Sequence, residues 1–249
     1  MLYIFASMQP FISAYQQSDF LGKLIIWFLM LLSMICWILL IYKIWEARKV
    51  TYFSKRVCSL VKKNKEQILH LEPAHFSPFM PAHLPHPFPQ IYFGLKDKAI
   101  EILNKKIFFL GKTDGASEVY LTLSDLELLE QTISSTVAEQ YKILEKNLFL
   151  LSTIYTLAPL LGLLGTVWGI LVTFASLNGG PASASNAAIL GGISTALSTT
   201  VMGLVIAIPA LIAYNYLRNH LKHFASDMEN FLYQLLSILE LQYRKADLG

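Results

Sequence analysis

The stretch from Asn147 to Leu217 reads NLFLLSTIYTLAPLLGLLGTVWGILVTFASLNGGPASASNAAILGGISTALSTTVMGLVIAIPALIAYNYL. Its 71 positions hold no Asp, Glu, Lys, Arg or His. A soluble domain has no use for such a run, because its surface must carry charge. The run is long enough for two membrane helices, each needing about 20 apolar residues to cross a hydrocarbon core of about 30 Å. It is also rich in Gly, Ala, Ser and Thr, the residues that let membrane helices approach closely. The whole chain of 249 residues agrees with this, being 54% hydrophobic and only 15% charged. Soluble chains are nearer a quarter charged. The fold class expected is an all-α membrane protein with three transmembrane helices, the second and third extended into long cytoplasmic helices.

Outward from that stretch, Gly179, Gly180 and Pro181 divide it, being turn formers in a neutral setting. Spans are expected over 149–176 and 188–216, with a short extracytoplasmic loop over 177–187. A first span is expected over 24–45, because Leu24 to Tyr42 carries no charge. Trp27 at one end and Tyr42 and Trp45 at the other suit the two interfaces of a bilayer. Residues 1–23 form an extracytoplasmic segment whose only charges are Asp19 and Lys23. It has no early Lys or Arg, so an uncleaved anchor is expected rather than a signal peptide. Residues 1–18 are read as a short interfacial helix interrupted by Pro10.

Arg48 to Lys65 holds seven basic residues and no acidic one. Basic residues close to a span mark the cytoplasmic side, and none lies between the second and third spans. The expected topology is therefore N-terminus out and C-terminus in. The same charge run could suit nucleic acid, but no binding motif accompanies it, and no nucleic-acid role is expected.

The cytoplasmic loop, 46–123, includes six prolines between Leu71 and Gln90. They forbid a continuous helix there, and an extended linker is expected. His70, His75, His83 and His86 match no zinc spacing and have no cysteine nearby, so neither a metal site nor a cofactor is expected. A helix is expected from Gly94 to Leu110 and a turn from Gly111 to Gly115. The extension of the second span, 124–148, opens on Ser124 and Glu127 in a capping-box pattern. Apolar residues then recur at helical spacing at Leu126, Leu129, Ile133, Val137, Leu144 and Leu148. The pattern predicts one rod from Asp125 to Ser176, on the order of 75 Å long, with a kink at Pro159. After the third span, 217–249 repeats an amphipathic helical pattern through Leu221, Phe224, Met228, Phe231, Leu235, Ile238 and Leu239.

No nucleophile–base set or phosphate loop is present, and Glu127, Glu130, Glu139 and Glu145 read as solvated helix charges. An enzyme is not expected. The membrane part carries the chemistry that there is. Gly162, Gly165, Gly169, Gly191, Gly192 and Gly203, with Pro159 and Pro209, are expected to serve helix packing. Ser194, Thr195, Ser198, Thr199 and Thr200 crowd hydroxyls into seven residues, which calls for either another helix or water. Membrane proton relays use Asp, Glu or His. The spans lack all three, so any titrating carboxylate must come from another polypeptide.

The string Ala158-Pro159-Leu160-Leu161-Gly162-Leu163-Leu164-Gly165-Thr166-Val167-Trp168-Gly169-Ile170 resembles the second span of the TolQ/ExbB/MotA family of proton-channel subunits. So does Gly192 to Leu204, followed by Ala207-Ile208-Pro209-Ala210 and Tyr214-Asn215, in a match covering about residues 120–245. The resemblance implies a subunit of a motor complex in the bacterial cytoplasmic membrane. Five copies would surround a dimer of a TolR/ExbD-like single-span partner that carries one membrane aspartate, and a TolA/TonB-like transducer would take up the work. By position Thr166 and Thr200 match the two family threonines that face that aspartate. Thr195, Thr199, Thr173 and Ser198 are candidates for lining the path. The family pattern usually has Glu where this chain has Thr195. Three spans favour the TolQ/ExbB branch, and the short amino-terminal segment leans towards TolQ and a Tol-Pal type of output. The alternatives are an ExbB-type subunit energising TonB-dependent uptake, a non-conducting scaffold, or a metal sensor built on the His/Pro loop.

Overall fold

The computed structural model describes residues 15–16, 18–64, 69, 76, 84–110, 120–177 and 186–243. Most of the expected interfacial helix at residues 1–18, His70, His75 and His83, the turn from Gly111 to Gly115 and most of the 177–187 loop lie outside the described residues. Among the described residues the regular structure is helical, in five long helices. These are α1 (Phe20–Lys63), α2 (Pro87–Leu110), α3 (Leu123–Glu145), α4 (Leu148–Leu177) and α5 (Asn186–Tyr243). Of these, α1, α4 and α5 are long and apolar enough to cross a membrane.

The chain divides into two units, the first made of Met1–Lys43 with Asn147–Leu217 and the second of Ile44–Lys146 with Arg218–Gly249. In the second unit the amphipathic stripes read from the sequence form a core. Leu129, Ile133, Val137 and Leu144 of α3 are buried with Ile91, Tyr92, Leu95 and Ala99 of α2 and with Met228, Leu232, Leu235 and Leu239 of α5. Val50, Val57 and Val61 of α1 join them. Each such side chain contributes roughly 1.5–3 kcal/mol when fully buried. Phe88 makes tilted ring contacts with Phe231, at a separation of 4.8 Å, and with Phe224, at 5.6 Å. Tyr92 is 1% exposed, and burial pushes its hydroxyl up to about 12. Leu121 closes the unit by donating its amide to the Tyr243 carbonyl at 2.8 Å.

Three local expectations are corrected. The helix before Leu110 begins at Pro87, inside the segment expected to be extended up to Gln90. Pro87 and Pro89 both fall in its first turn, where amide donors have no intrahelical acceptor and a proline removes nothing. The cap of α3 is Thr122 with Asp125, not Ser124 with Glu127. The two patterns overlap in sequence, and a tertiary contact selects between them: Asp125 is also the partner of Lys106, which in addition donates to the Tyr120 carbonyl at 3.0 Å. Burial alone would raise the Asp125 carboxyl; Lys106 and Thr122 outweigh it and hold it below its ordinary value.

The single rod from Asp125 to Ser176 is not formed either. Helix α3 ends at Glu145, Lys146 leaves helical geometry with ψ 136°, and Asn147 takes φ 69°. Asn is among the few residues that enter the left-handed region readily, and it ends helices there. A new helix starts at Leu148 and runs unbroken through Pro159. In α5 the helix likewise continues through Pro209.

In the first unit, α1 is capped by Asp19, whose carboxylate accepts the Gly22 amide at 3.1 Å. The helices of this unit leave large apolar side chains uncovered, among them Trp27, Met30, Leu163, Phe174, Val205 and Ile212. A helix face of this kind is stable against lipid tails or other apolar helices and costly against water.

Candidate functional site

The site is built where α4 and α5 touch, and glycine makes the contact possible. A Cβ placed on Gly203 would stand 2.5 Å from the Ala158 carbonyl oxygen and 3.3 Å from Gly162 Cα. One on Gly162 would stand 2.9 Å from Thr200 Cα, and one on Gly169 2.9 Å from the Ala196 Cβ. On Gly165 it would collide with the Thr199 hydroxyl, and on Gly192 with the Thr173 hydroxyl. Two rows therefore interlock: Gly162, Gly165, Gly169 and Thr173 on α4, and Gly203, Thr199, Ala196 and Gly192 on α5. The pairing runs up one helix and down the other, so the two are antiparallel.

Hydroxyls bind the rows together. The Gly162 carbonyl accepts from Thr200 Oγ1 at 2.9 Å and lies 3.3 Å from Thr199 Oγ1. Thr199 also donates to Ala196 at 2.7 Å within its own helix. Thr166 donates to the Leu163 carbonyl at 2.7 Å, Thr173 to Gly169 at 2.7 Å, Thr195 to Gly191 at 2.9 Å and Ser198 to Ser194 at 2.8 Å. Thr199 and Thr173 are buried, at 2% and 8% exposure. Thr166, Thr195, Ser198 and Thr200 are half-buried.

The two rows leave two flanks, and the threonines divide between them. Each residue along a helix turns by about 100°. Thr166 lies one step after the contact residue Gly165, and Thr200 one step after Thr199. In antiparallel right-handed helices, one step forward on each turns to the same flank of the pair. Thr166 and Thr200 thus share a flank. Trp168 and Thr195 lie one step before Gly169 and Ala196 and share the other. Ser198 lies one step before Thr199 and turns to the same flank as Thr195, further from α4. Of the six hydroxyl residues proposed for the path, the structure brings two to one flank, places two in the packing seam and leaves the remaining two on the opposite flank.

Sequence reasoning missed one participant. Trp168 Nε1 donates to Asp19 Oδ2 at 2.8 Å. The partners are 149 positions apart, and no periodicity links them. Asp19 thereby brings a carboxylate to the level of the Gly169–Ala196 contact, beside a stretch of α4 and α5, residues 148–217, that has none of its own. Among the described residues no group of His, Cys, Asp and Glu could hold a metal ion.

Residues 106–230, which contain α3, α4 and the whole α4–α5 contact, match the family described as the MotA/TolQ/ExbB proton channel family. Among individual proteins, the chain is 40% identical over 115 residues to an ExbB-like biopolymer transport protein of Synechocystis sp., covering 45% of this chain and 52% of that one. It is 38% identical over 106 residues to the biopolymer transport protein ExbB of Xanthomonas campestris pv. campestris, covering 43% and 40%. It is also 38% identical over 99 residues to the Tol-Pal system protein TolQ of Haemophilus influenzae, covering 40% and 43%. The chain spans about half the length of these relatives. With the matched segment taking in half of the sequence and every residue of the α4–α5 seam, this chain belongs to the MotA/TolQ/ExbB proton channel family.

Proposed function

We propose that this chain is the channel-forming subunit of a proton-driven motor in the bacterial cytoplasmic membrane, with Thr166 and Thr200 as its half of the ion site. The observation that supports this reading is the shared flank of the two threonines within a stretch, residues 147–217, that holds no Asp, Glu, His, Lys or Arg. Each hydroxyl spends its proton on a backbone carbonyl, so what it offers outward is a lone pair. That suits a protonated carboxylic acid, which must donate. A deprotonated carboxylate needs donors, and it would be met by rotation of the hydroxyls off Leu163 and Gly162 or by water. The pair would therefore distinguish the two protonation states of an aspartate brought in by a TolR/ExbD-like single-span partner. Thr199 and Thr173 serve the seam, and Thr195 faces the opposite flank.

In this reading the chain is a homo-oligomer, a pentamer in the family resemblance, with its N-terminus outside and its C-terminus in the cytoplasm. The output passes to a TolA/TonB-like transducer, with a Tol-Pal type of system as the first choice. An ExbB-type role in uptake is the second, and it is favoured by the ExbB names among the relatives. Replacing Thr166 and Thr200 together by Val keeps shape and removes the hydroxyls. Proton flux in membrane vesicles carrying the assembled complex should fall roughly tenfold or more, for a loss of about 1–3 kcal/mol at a site that needs those groups. Unchanged flux from that double variant would reject the assignment.

A further inference from the structure

We propose that Asp19 is a positioning residue for the ion site, acting through Trp168 to fix the rotation of α4; the importance of that rotation rests on the functional reading above. Asp19 makes two bonds with two oxygens. Its Oδ1 accepts the Gly22 amide at 3.1 Å, which fastens the carboxylate to the first turn of α1. Its Oδ2 accepts the Trp168 indole N–H at 2.8 Å. The carboxylate is thus a two-ended clip between the start of α1 and α4.

The clip acts on the side of α4 where it has leverage. Trp168 and Thr166 are two residues apart, which is about 200° around the helix. The glycine row lies between them, so any roll of α4 that shifts Trp168 relative to α5 shifts Thr166 with it. Hydroxyls at Thr199 and Thr200 restrain the seam from the α5 side, and Trp168 restrains α4 from the far flank. A charge-assisted bond is stronger than a neutral one, and the indole is a long lever on which to place it. Loss of the clip lets α4 roll, which carries Thr166 away from Thr200.

The test uses the full chain in liposomes, with Cys36→Ala and Cys58→Ala removing the native thiols and Thr166→Cys introducing a reporter. The rate of labelling by N-ethylmaleimide reads the exposure of position 166. D19A and W168F should each change that rate roughly threefold or more, the size expected for losing one hydrogen bond between membrane helices. The double variant should change it no further than either single one, because both remove the same bond. D19N keeps one acceptor oxygen and should fall between wild type and D19A. Equal changes that add in the double variant, or a rate unmoved by D19A, overturn the inference, whatever the threonine variants do. Unchanged flux from the Thr166/Thr200 valine double variant, with the labelling cycle as expected, would reject the functional reading and leave the clip standing.

Discussion

Gly203→Ala is the sharpest probe of the α4–α5 seam, because the atom it strikes cannot rotate away. The new methyl carbon would stand 2.5 Å from the Ala158 carbonyl oxygen and 3.2 Å from its carbon. Carbon and oxygen rest at about 3.3 Å or more, so the helices must part by roughly 0.8 Å there. The Thr200 bond to Gly162, now 2.9 Å, would open to roughly 3.7 Å, beyond hydrogen-bond reach. Overpacking costs about 1–3 kcal/mol, and a hydrogen bond between membrane helices adds about 0.6 kcal/mol. Against this, Ala gains up to about 1 kcal/mol of helix propensity over Gly. The balance is a destabilisation of about 1–3 kcal/mol, read as an earlier unfolding midpoint when the purified chain is titrated with denaturing detergent. Gly94→Ala is the control of opposite sign. There the methyl would meet the Ile133 Cδ1 at 3.4 Å, an ordinary contact, and the propensity gain should leave the chain as stable or more so by up to about 1 kcal/mol. If Gly203→Ala and Gly94→Ala shift the midpoint alike, α4 and α5 do not approach this closely.

Other outcomes follow from the same structure. Asn147→Gly should be neutral, whereas Asn147→Val, forced to φ 69°, should cost about 1–2 kcal/mol in the same titration. Lys106→Met strips the partner from a carboxylate at 17% side-chain exposure, and should destabilise the chain by about 1–3 kcal/mol at neutral pH. The Asp125 carboxyl is held below its ordinary value in the folded chain, so its contribution is full above the unfolded value and is lost as pH falls through the folded one. The gap between wild type and Lys106→Met should therefore be open at pH 7 and shrink below about pH 4, the region of a free Asp. A gap independent of pH would remove the ion pair from the account.

The parts of the fold legible in the sequence are those governed by composition and period. A charge-free run of 71 residues admits few solutions, and the stripes of α3 and α5 name the residues that become buried. What escaped was decided by competition between near-equal local choices. Thr122 and Ser124 both offer a cap, and Lys106 settles it from another helix. Prolines read as breakers until their position in the first turn of α2 is known. Asn147 is helix-compatible by pattern, and only the geometry of the join shows it in the left-handed region. Each of these differences is about 1 kcal/mol, smaller than the tertiary contacts that resolve it.

The candidate site was half legible for a different reason. Hydroxyl-bearing and small residues could be counted along a helix, but a count does not say which of them face each other. The facing rows require two helices to be set in register, and that register separates residues the sequence treats alike: Thr199 goes to the seam and Thr200 to its edge, one position apart. It also brings in Asp19, which no spacing rule reaches. The missing charge in the spans argued for a carboxylate supplied from elsewhere. Asp19 meets that description in part, since it arrives from outside the charge-free stretch, yet it sits on the Trp168 flank, away from Thr166 and Thr200. A carboxylate on that flank can hold α4 but cannot meet their lone pairs. Residues 147–217 hold no Asp, Glu or His, so on the proposed reading the carboxylate that meets Thr166 and Thr200 has to come from a partner.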